Sequence, residues 1–365
     1  MKILILATNY PNLKGNISLY YIHTRCTYYV KNGLDIEVLN FSAEEDYTID
    51  GVRVITLDNY KNKNYKNYDL LISHAPNLRN HYRFIKKYGR NFKKQLFFFH
   101  GHEVLKLNKD YSKPYNYMRK RFKILQGIYD FIKLKVWHYY FTKYNDISYY
   151  IFVSNWMKEM FLKNTKISEK LINPHSYITY NSIGEEFEKE NYNEISEKEY
   201  DFVTIRGNLD GSKYCIDIVN QLAFQNPNYK FLVIGKGKYF DIYEKAPNIE
   251  RIQEHCNHEK IIEMLNKSKC ALMPTRTDAQ GLMACEMATF GIPLITSDIP
   301  VCHEIFDSFS NVEFINNDNI QNESIINKYR KILDKVSNKN NKKNEKYFLE
   351  KCCDEEIKII KKMME

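Results

Sequence analysis

Short β-rich runs alternate with longer helical patterns along almost the whole chain, and this alternation restricts the folds open to it. Seven such runs precede a charged interval at 185–199, and six follow it. Strands that alternate with helices form βαβ units with parallel, buried strands. The sequence therefore predicts an α/β protein with two doubly wound, Rossmann-like domains. The predicted strands are 2–6, 35–41, 52–56, 69–74, 95–100, 149–153, 176–180, 201–206, 230–234, 248–252, 270–273, 293–296 and 311–315.

The charged interval sets the predicted domain boundaries. Residues 1–185 form the predicted first domain, 186–200 the linker and 201–340 the second domain. Residues 341–365 carry a final amphipathic helix, which we expect to return to the first domain. Open parallel sheets bind ligands at the carboxyl ends of their strands, so two such sheets facing each other would form a cleft.

Composition indicates a globular protein without a membrane span. Of the 365 residues, 44% are hydrophobic and 27% are charged, and the mean hydropathy is −0.55. No run approaches the ~18 uncharged apolar residues of a spanning helix, and no cleavable signal precedes the first strand. We therefore expect the protein in the cytoplasm.

The cysteine pattern and the net charge limit the possible ligands. Eight cysteines occur without a C-x-x-C pair, and no H-E-x-x-H is present, so reduced thiols and no metal site are expected. The net charge of +9 could attract nucleic acid, anionic lipid or a phosphorylated small molecule. No nucleic-acid motif accompanies the charge, so nucleic acid is not expected as a partner.

The segment 271–300 is the most informative for function. A buried strand ends at Met273, a polar loop carries Asp278, Gly281 opens a helix containing Glu286, and Gly291 ends it. The amides of Gly281, Leu282 and Met283 would face one point at the positive end of the helix dipole, which suits an anion. A purely structural turn is the alternative.

This segment resembles the signature of the family 4 retaining glycosyltransferases of GT-B fold. That signature has an acidic residue, seven others and then Glu, and Asp278 and Glu286 fall in register with it, as do Gly281, Gly291 and Pro293. The resemblance implies that Glu286 binds the ribose of a nucleotide and that Asp278 contacts the donor sugar near its reacting carbon.

Two further segments of the second domain resemble parts of the same family. Arg206 and Lys213 lie where the family has an Arg and a Lys that neutralise the donor diphosphate. Gly235 belongs to a G-x-G loop, which resembles the family's own but could also be a tight turn. The resemblance implies that these cations replace a divalent metal, so no cofactor is expected besides the nucleotide sugar.

The first domain carries the remaining candidates. His100 ends an apolar strand where family members often have a His close to the donor sugar and the attacking hydroxyl, and His102 is the runner-up. Such a His could donate a hydrogen bond or move a proton, although a structural turn with satisfied imidazoles is the alternative. Gly15 lies in a loop that resembles the family's glycine loop near the donor phosphates.

The resemblance implies a metal-independent enzyme that transfers a sugar, with retention, from a nucleotide diphosphate to a hydroxyl of a glycan or lipid-linked glycan. The setting it implies is synthesis of a bacterial surface polysaccharide, such as capsule or lipopolysaccharide. A GT-B epimerase or phosphorylase and a catalytically silent partner that binds sugar nucleotides remain alternatives.

The segment 113–143 combines positive charge with an apolar stripe. It contains eight Lys or Arg and one Asp, and Met118, Phe122, Leu125, Tyr129, Ile132 and Val136 follow helical spacing. One interpretation is contact with an anionic membrane surface, with Trp137 and several tyrosines at headgroup depth. The other is that the stripe packs on the first sheet while the lysines face water.

Overall fold

Two compact units, each containing one sheet, make up the chain. The computed structural model describes residues 1–13, 15, 18–62, 68–118, 123–254, 256–337 and 343–365. The first unit comprises 1–106, 127–182 and 350–365, and the second comprises 107–126 and 183–349. Both sheets are flanked by helices, so the predicted α/β class is confirmed.

The described strands of the first unit form one eight-stranded sheet. They are β1 (Lys2–Ala7), β2 (Asp35–Asn40), β3 (Tyr47–Ile49), β4 (Val52–Ile55), β5 (Leu70–His74), β6 (Lys94–Phe99), β7 (Ser148–Phe152) and β8 (Ser176–Ile178). The strand order is β3-β4-β2-β1-β5-β6-β7-β8, and every pair is parallel except β3 with β4. The order reverses between β1 and β5, which places a topological switch point there.

The described strands of the second unit form a six-stranded, fully parallel sheet. They are β9 (Tyr200–Asn208), β10 (Phe231–Lys236), β11 (Ile249–Ile252), β12 (Ser268–Leu272), β13 (Leu294–Ser297) and β14 (Val312–Ile315). The order β11-β10-β9-β12-β13-β14 is that of a dinucleotide-binding fold. Its switch point lies between β9 and β12.

The predicted strands are all present, and the structure adds β3. Apolar runs such as those of β1 and β6 are buried from their second residue onward, because helices cover both faces of a parallel sheet. The strand β3 forms a hairpin with β4 through Asp50 and Gly51, whose φ angles are 48° and 79°. Both residues have the left-handed backbone of a two-residue hairpin turn.

The described α-helices that end before residue 182 are α1 (Tyr20–Lys31), α2 (Leu57–Asn62), α3 (Arg83–Tyr88), α4 (Lys123–Lys143), α5 (Asn155–Thr165) and α6 (Glu169–Ile172). The longest of them, α4, packs one stripe inward, where Trp137 is fully buried against Tyr82 and Phe97. The interpretation that Trp137 lies at headgroup depth is therefore wrong. Phe122 lies outside the described residues.

The helices of the second unit are α7 (Glu185–Lys189), α8 (Ile216–Gln225), α9 (Tyr239–Ile242), α10 (His258–Asn266), α11 (Leu282–Phe290), α12 (Pro300–Phe306) and α13 (Ile325–Ser337). The charged interval at 185–199 contains α7 and Tyr192, whose hydroxyl donates to the Ser268 carbonyl over 2.8 Å. Within the described ranges, no helix has both the length and the apolar character needed to cross a bilayer.

A segment from the first half of the chain belongs to the second unit. We call residues 107–118 the strap. The hydroxyl of Tyr115 donates to Asp217 over 2.8 Å, and that of Tyr117 donates to Asp210 over 2.7 Å. Both tyrosine rings also pack on the apolar core of the second sheet. The strap thus fixes the residues on either side of the loop that carries Lys213.

The C-terminal helix returns to the first unit, as predicted. This helix, α14 (Leu349–Met364), brings Glu356 to Arg25 of α1, with the Arg25 Nε donating to the two carboxylate oxygens over 3.0 and 3.2 Å. Both side chains are buried, and Tyr29 and Asn181 complete the hydrogen bonding. A buried charge needs such partners because its desolvation is costly.

We expect Glu356→Ala to lower the free energy of unfolding by about 3–5 kcal/mol, because the substitution leaves Arg25 buried without its carboxylate. Urea unfolding followed by circular dichroism measures the loss. The matched control is Glu355→Ala on the exposed side of α14, which should cost less than about 0.5 kcal/mol. Equal midpoints for the two variants would contradict this role of the ion pair.

Candidate functional site

The candidate site lies at the switch point of the second sheet. Arg206 is near the carboxyl end of β9, and the loop 273–281 leaves the carboxyl end of the neighbouring β12. The loop leads into α11, so strand ends and a helix N-terminus meet at the place where such sheets bind ligands.

Three of the predicted residues line one narrow cavity there. Arg206, Asp278 and Gly281 share this cavity, whose volume is about 20 Å³, with Thr275 and apolar residues of α11 and α12. The structure thus brings together the residue predicted to bind the diphosphate, the residue predicted to contact the donor sugar, and the start of the helix predicted to bind an anion.

The guanidinium of Arg206 is buried, with 7% of the residue exposed. Its Nη2 donates to the Pro274 carbonyl over 2.6 Å, and its Nε has no hydrogen-bond partner among the described residues. Burial lowers the pKa of Arg206, and nearby Asp278 opposes that shift. An arginine remains charged in proteins, so a buried cation with an unused donor lies at the switch point.

Lys213 and Arg206 both lie over the ring of Tyr214. The Lys213 ammonium is 4.7 Å from the centre of the Tyr214 ring, and the Arg206 guanidinium carbon is 5.1 Å from it. The Lys213 carbonyl accepts from the amide of Arg276 over 2.9 Å, which ties this loop to the loop after β12. Sequence reasoning missed Tyr214, which holds two cations near each other through cation–π contacts.

Gly235 packs directly behind Arg206. Its φ is 154°, and a Cβ atom at this position would lie 2.1 Å from the Arg206 carbonyl oxygen. Only glycine allows the backbones of β9 and β10 to approach so closely. A phosphate contact by Gly235 stays a prediction, whereas its support of Arg206 is visible in the structure.

We expect Gly235→Ala to destabilise the second unit by about 1–3 kcal/mol and to displace Arg206, because the new methyl group overlaps backbone. Thermal unfolding measures the effect. Gly207→Ala on the neighbouring strand is the control, since a Cβ atom there meets nothing within 4 Å. Equal melting temperatures for the two variants would show that the backbone accommodates a side chain at 235.

The helix α11 begins and ends where the sequence predicted. Gly281 is its N-cap and carries no side-chain cap, and the helix ends at Gly291, which has φ 101°. Leu282 and Met283 form its first turn, so their amides point toward the strand ends. The Asp278 carboxylate accepts the Ala279 amide over 2.9 Å, which holds the acidic side chain beside the helix start.

Glu286 is not part of the cavity lining and has its own environment. Its Oε1 accepts the Gly184 amide over 3.2 Å and lies 4.0 Å from His258 Nε2. Burial raises the pKa of Glu286 to about 7. Burial therefore favours the protonated form of this carboxyl group.

His258 is a neighbour of Glu286 that sequence reasoning did not find. This first residue of α10 is held by Glu186, whose Oε2 is 2.8 Å from His258 Nδ1. Asn257 caps the helix by accepting the Lys260 amide. The only sequence signal was this N-cap Asn before a helical pattern, and it does not reveal that His258 meets a residue almost thirty positions away.

In the first unit, His100 follows β6. Its Nε2 is 3.4 Å from His74 Nδ1, and the Tyr21 ring centre is 4.7 Å from its own. Burial, with Arg25 nearby, lowers the pKa of His100 well below its usual value, so the imidazole is neutral at pH 7. Burial has the same effect on His74, whose pairing with His100 the sequence analysis did not predict.

The backbone after His100 is held by Glu103. The amides of His100 and Gly101 donate to its two carboxylate oxygens over 3.2 and 2.6 Å. His102, the runner-up, is exposed. Gly15 has φ 88° and donates its amide to the Asn12 carbonyl over 3.1 Å, whereas Asn16 beside it lies outside the described residues.

This arrangement suits the binding of a phosphorylated ligand. The second unit offers two cations and a helix N-terminus at one strand edge, and a carboxylate that can accept hydroxyl hydrogen bonds. Among the described residues, no three His, Cys, Asp or Glu side chains come together as a metal site. None of the eight cysteines, all of which lie in the described ranges, forms a disulfide bond.

A family model covers most of the second unit. Residues 186–347 match the family described as "Glycosyl transferases group 1", so the chain carries a glycosyltransferase group 1 domain. Two Escherichia coli proteins named "O-antigen biosynthesis glycosyltransferase WclY" are each 32% identical to it over 101 residues. That match covers 25% of this chain and 27% of each relative, so it spans about a quarter of their length.

Solved structures are similar over nearly the full chain. Sucrose-phosphate synthase from Thermosynechococcus elongatus has a TM-score of 0.69 at 11% identity, covering 99% of this chain and 98% of that one. The structure described as "Trehalose-6-phosphate from E. coli bound with UDP-2-fluoro glucose" has a TM-score of 0.58 at 11% identity, with coverages of 100% and 99%. The predicted GT-B fold is therefore confirmed, and at these identities the similarity concerns the fold alone.

Proposed function

We propose that the protein is a retaining glycosyltransferase of the family 4 type that works without a metal ion. It transfers a sugar from a nucleotide diphosphate to a hydroxyl of a glycan or lipid-linked glycan, in the synthesis of a bacterial surface polysaccharide. The observation that carries the proposal is the buried Arg206, whose Nε has no partner among the described residues, beside the N-terminus of α11 in a glycosyltransferase group 1 domain.

The comparisons support the donor and the setting. One structural neighbour is described as bound with UDP-2-fluoro glucose, which is a nucleotide sugar. The E. coli relatives are named for O-antigen biosynthesis, which favours a surface polysaccharide as the product.

In the proposed mechanism, Arg206, Lys213 and the amides of Leu282 and Met283 bind the donor diphosphate. These fixed positive groups stabilise the diphosphate as its bond to the anomeric carbon breaks and negative charge accumulates on it. They supply the stabilisation that a divalent ion gives in other transferases. Glu286 accepts hydrogen bonds from the ribose, and Asp278 contacts the donor sugar.

The acceptor hydroxyl forms the new bond on the face that the diphosphate leaves, as the family resemblance implies. Its proton passes to an oxygen of the departing phosphate, so that charge and atoms balance. His100 is neutral and can donate a hydrogen bond to the sugar or the acceptor during this step. Substitution of His100 by Ala should therefore slow transfer more than it weakens donor binding.

Arg206→Ala tests the binding part of the proposal. We expect it to raise the Kd for UDP- or GDP-sugars by about 10- to 100-fold, because a charged hydrogen-bond donor is lost. Thermal shift across a panel of nucleotide sugars identifies the donor, since a bound ligand raises the melting temperature. The control is Arg251→Ala, a similarly buried arginine on the edge strand β11, which should leave donor affinity unchanged.

Two outcomes would contradict the proposal. Activity that EDTA abolishes and manganese restores would exclude a metal-independent mechanism. A chain that binds a nucleotide sugar but neither transfers nor hydrolyses it would be a silent partner instead.

Donor affinity should fall as the pH drops from 8 to 6. The raised pKa of Glu286, about 7, means that the carboxylate becomes protonated over this range and can no longer accept two hydroxyl hydrogen bonds. If only the ionised form binds ribose, affinity decreases about tenfold. Calorimetry with a nucleotide sugar measures this cleanly, because its diphosphate diester has no titratable proton in the range.

Glu286→Gln is the matched variant for this prediction. The amide keeps the shape and one acceptor but does not titrate, so its donor affinity should be weak and independent of pH. A wild-type protein with the same flat profile would exclude Glu286 as the ribose ligand.

A further inference from the structure

The proposed donor site leaves two titratable neighbours of Glu286 without a role. They are Glu186 of α7 and His258, the first residue of α10. All three side chains belong to the second unit, in which α7 packs against both α10 and α11. The imidazole of His258 contacts Glu186 on one side and faces Glu286 on the other, so it lies at the centre of this cluster.

The orientation of the imidazole is fixed by its neighbours. Its Nδ1 is 2.8 Å from Glu186 Oε2, and the ring of Phe187 packs edge-on against it with 5.2 Å between the ring centres. Burial acts to raise the pKa of Glu186, but the hydrogen bond from His258 and further contacts lower it overall. The ionised carboxylate can only accept, so Nδ1 carries a hydrogen and Nε2 is left for another partner.

A gap separates that second ring nitrogen from Glu286. The distance from His258 Nε2 to Glu286 Oε1 is 4.0 Å, which is too long for a direct hydrogen bond. Among the described residues, none forms a hydrogen bond with Nε2 or with Glu286 Oε2, whereas Oε1 accepts the Gly184 amide. The His258 side chain is 39% exposed, so a ligand can reach the gap.

Gly184 allows the imidazole and the carboxylate to lie this close. A Cβ atom at position 184 would lie 2.6 Å from His258 Cε1, whereas carbon atoms in contact are about 3.5–4.0 Å apart. The amide of the same residue donates to Glu286 over 3.2 Å. Any side chain at this position would therefore displace His258 from Glu286.

We propose that His258 is a second ribose ligand, which binds one hydroxyl of the donor nucleotide together with Glu286. The inference rests on the proposed function, because it assigns a further residue to the same donor site. His258 would determine specificity for ribonucleotides over deoxyribonucleotides.

A hydroxyl group fits both the size and the chemistry of the gap. Because 4.0 Å is less than twice a hydrogen-bond length of about 2.8 Å, one oxygen atom can lie within bonding distance of Nε2 and of the carboxylate. A hydroxyl also donates and accepts. It can accept from a protonated imidazole while donating to Glu286, and it can donate to Nε2 when the imidazole is neutral.

The position along α11 suits a nucleotide. Glu286 lies five positions after Gly281, which corresponds to about 7.5 Å along the helix axis. Gly281 lines the cavity that also holds Arg206. A ligand whose phosphates lie at the start of the helix can therefore extend its ribose along α11 toward Glu286 and His258.

Deoxynucleotides test the proposal on the full chain. Calorimetry compares UDP and GDP with their 2′-deoxy and 3′-deoxy forms, and the ratio of the Kd values measures the contribution of each hydroxyl. The wild-type protein should bind at least one deoxy form about tenfold more weakly or worse. His258→Ala should lower that ratio about fivefold, because one hydrogen bond to the hydroxyl is lost.

Two further variants separate hydrogen bonding from packing. His258→Phe keeps a ring beside Phe187 but has no ring nitrogen, so it should lower the ratio as much as His258→Ala does. Glu259→Ala changes the exposed next position of α10 and should leave the ratio at the wild-type value. Because positions 258 and 259 are both accessible to solvent, thermal unfolding should show that all three variants are folded.

Wild-type ratios for both deoxy forms in His258→Ala would overturn the proposal, since the imidazole would then serve packing alone. If Glu286→Ala still weakens UDP or GDP binding in that case, the proposed donor site stands without His258. The proposed function fails by a different result, namely a wild-type protein that binds neither nucleotide nor any nucleotide sugar, and that result would also overturn the role of His258.

Discussion

Reversal of strand order at the carboxyl edge of a parallel sheet is the constraint on which the second unit depends. At such a point, the connections from adjacent strands leave toward opposite faces, so the two strand ends are not covered by their own loops. Here those ends belong to β9 and β12, and they deliver Arg206 and the loop with Asp278 to one cavity. The N-terminus of α11 lies at the same cavity, so the two strand ends and the positive end of a helix dipole meet there.

The candidate site combines positive charge with limited access to water. Arg206 keeps its charge although it is buried, and Tyr214 holds Lys213 close to it. The burial of Arg206 costs desolvation energy, and the closeness of Lys213 costs electrostatic repulsion. A bound diphosphate would offset both costs. Arg206 stays charged when it is buried, whereas burial favours the neutral, protonated form of Glu286. The cations and the Asp278 carboxylate thus lie at the start of α11, whereas the Glu286 carboxylate lies inside the helix, outside the cavity.

Local patterns explain what could be predicted, and long-range contacts explain the rest. The helix from Gly281 to Gly291 was predictable because a glycine end and an apolar run are local signals. The hairpin of β3 was missed although Asp50 and Gly51 are a typical turn pair, since three residues are too few to show alternation. The contact of His258 with Glu286, the packing of the strap and the burial of Trp137 depend on residues distant in sequence, so no spacing rule reveals them.

The ion pair between Arg25 and Glu356 has a consequence for synthesis on the ribosome. The two residues are 331 positions apart, a separation that takes roughly 20–60 s to translate. The second sheet is fully translated before α14 leaves the exit tunnel. The first unit, whose other residues are all made before the second sheet, is therefore the last to be completed. Until α14 is added, Arg25 has no carboxylate partner there and the surface that α14 covers is open.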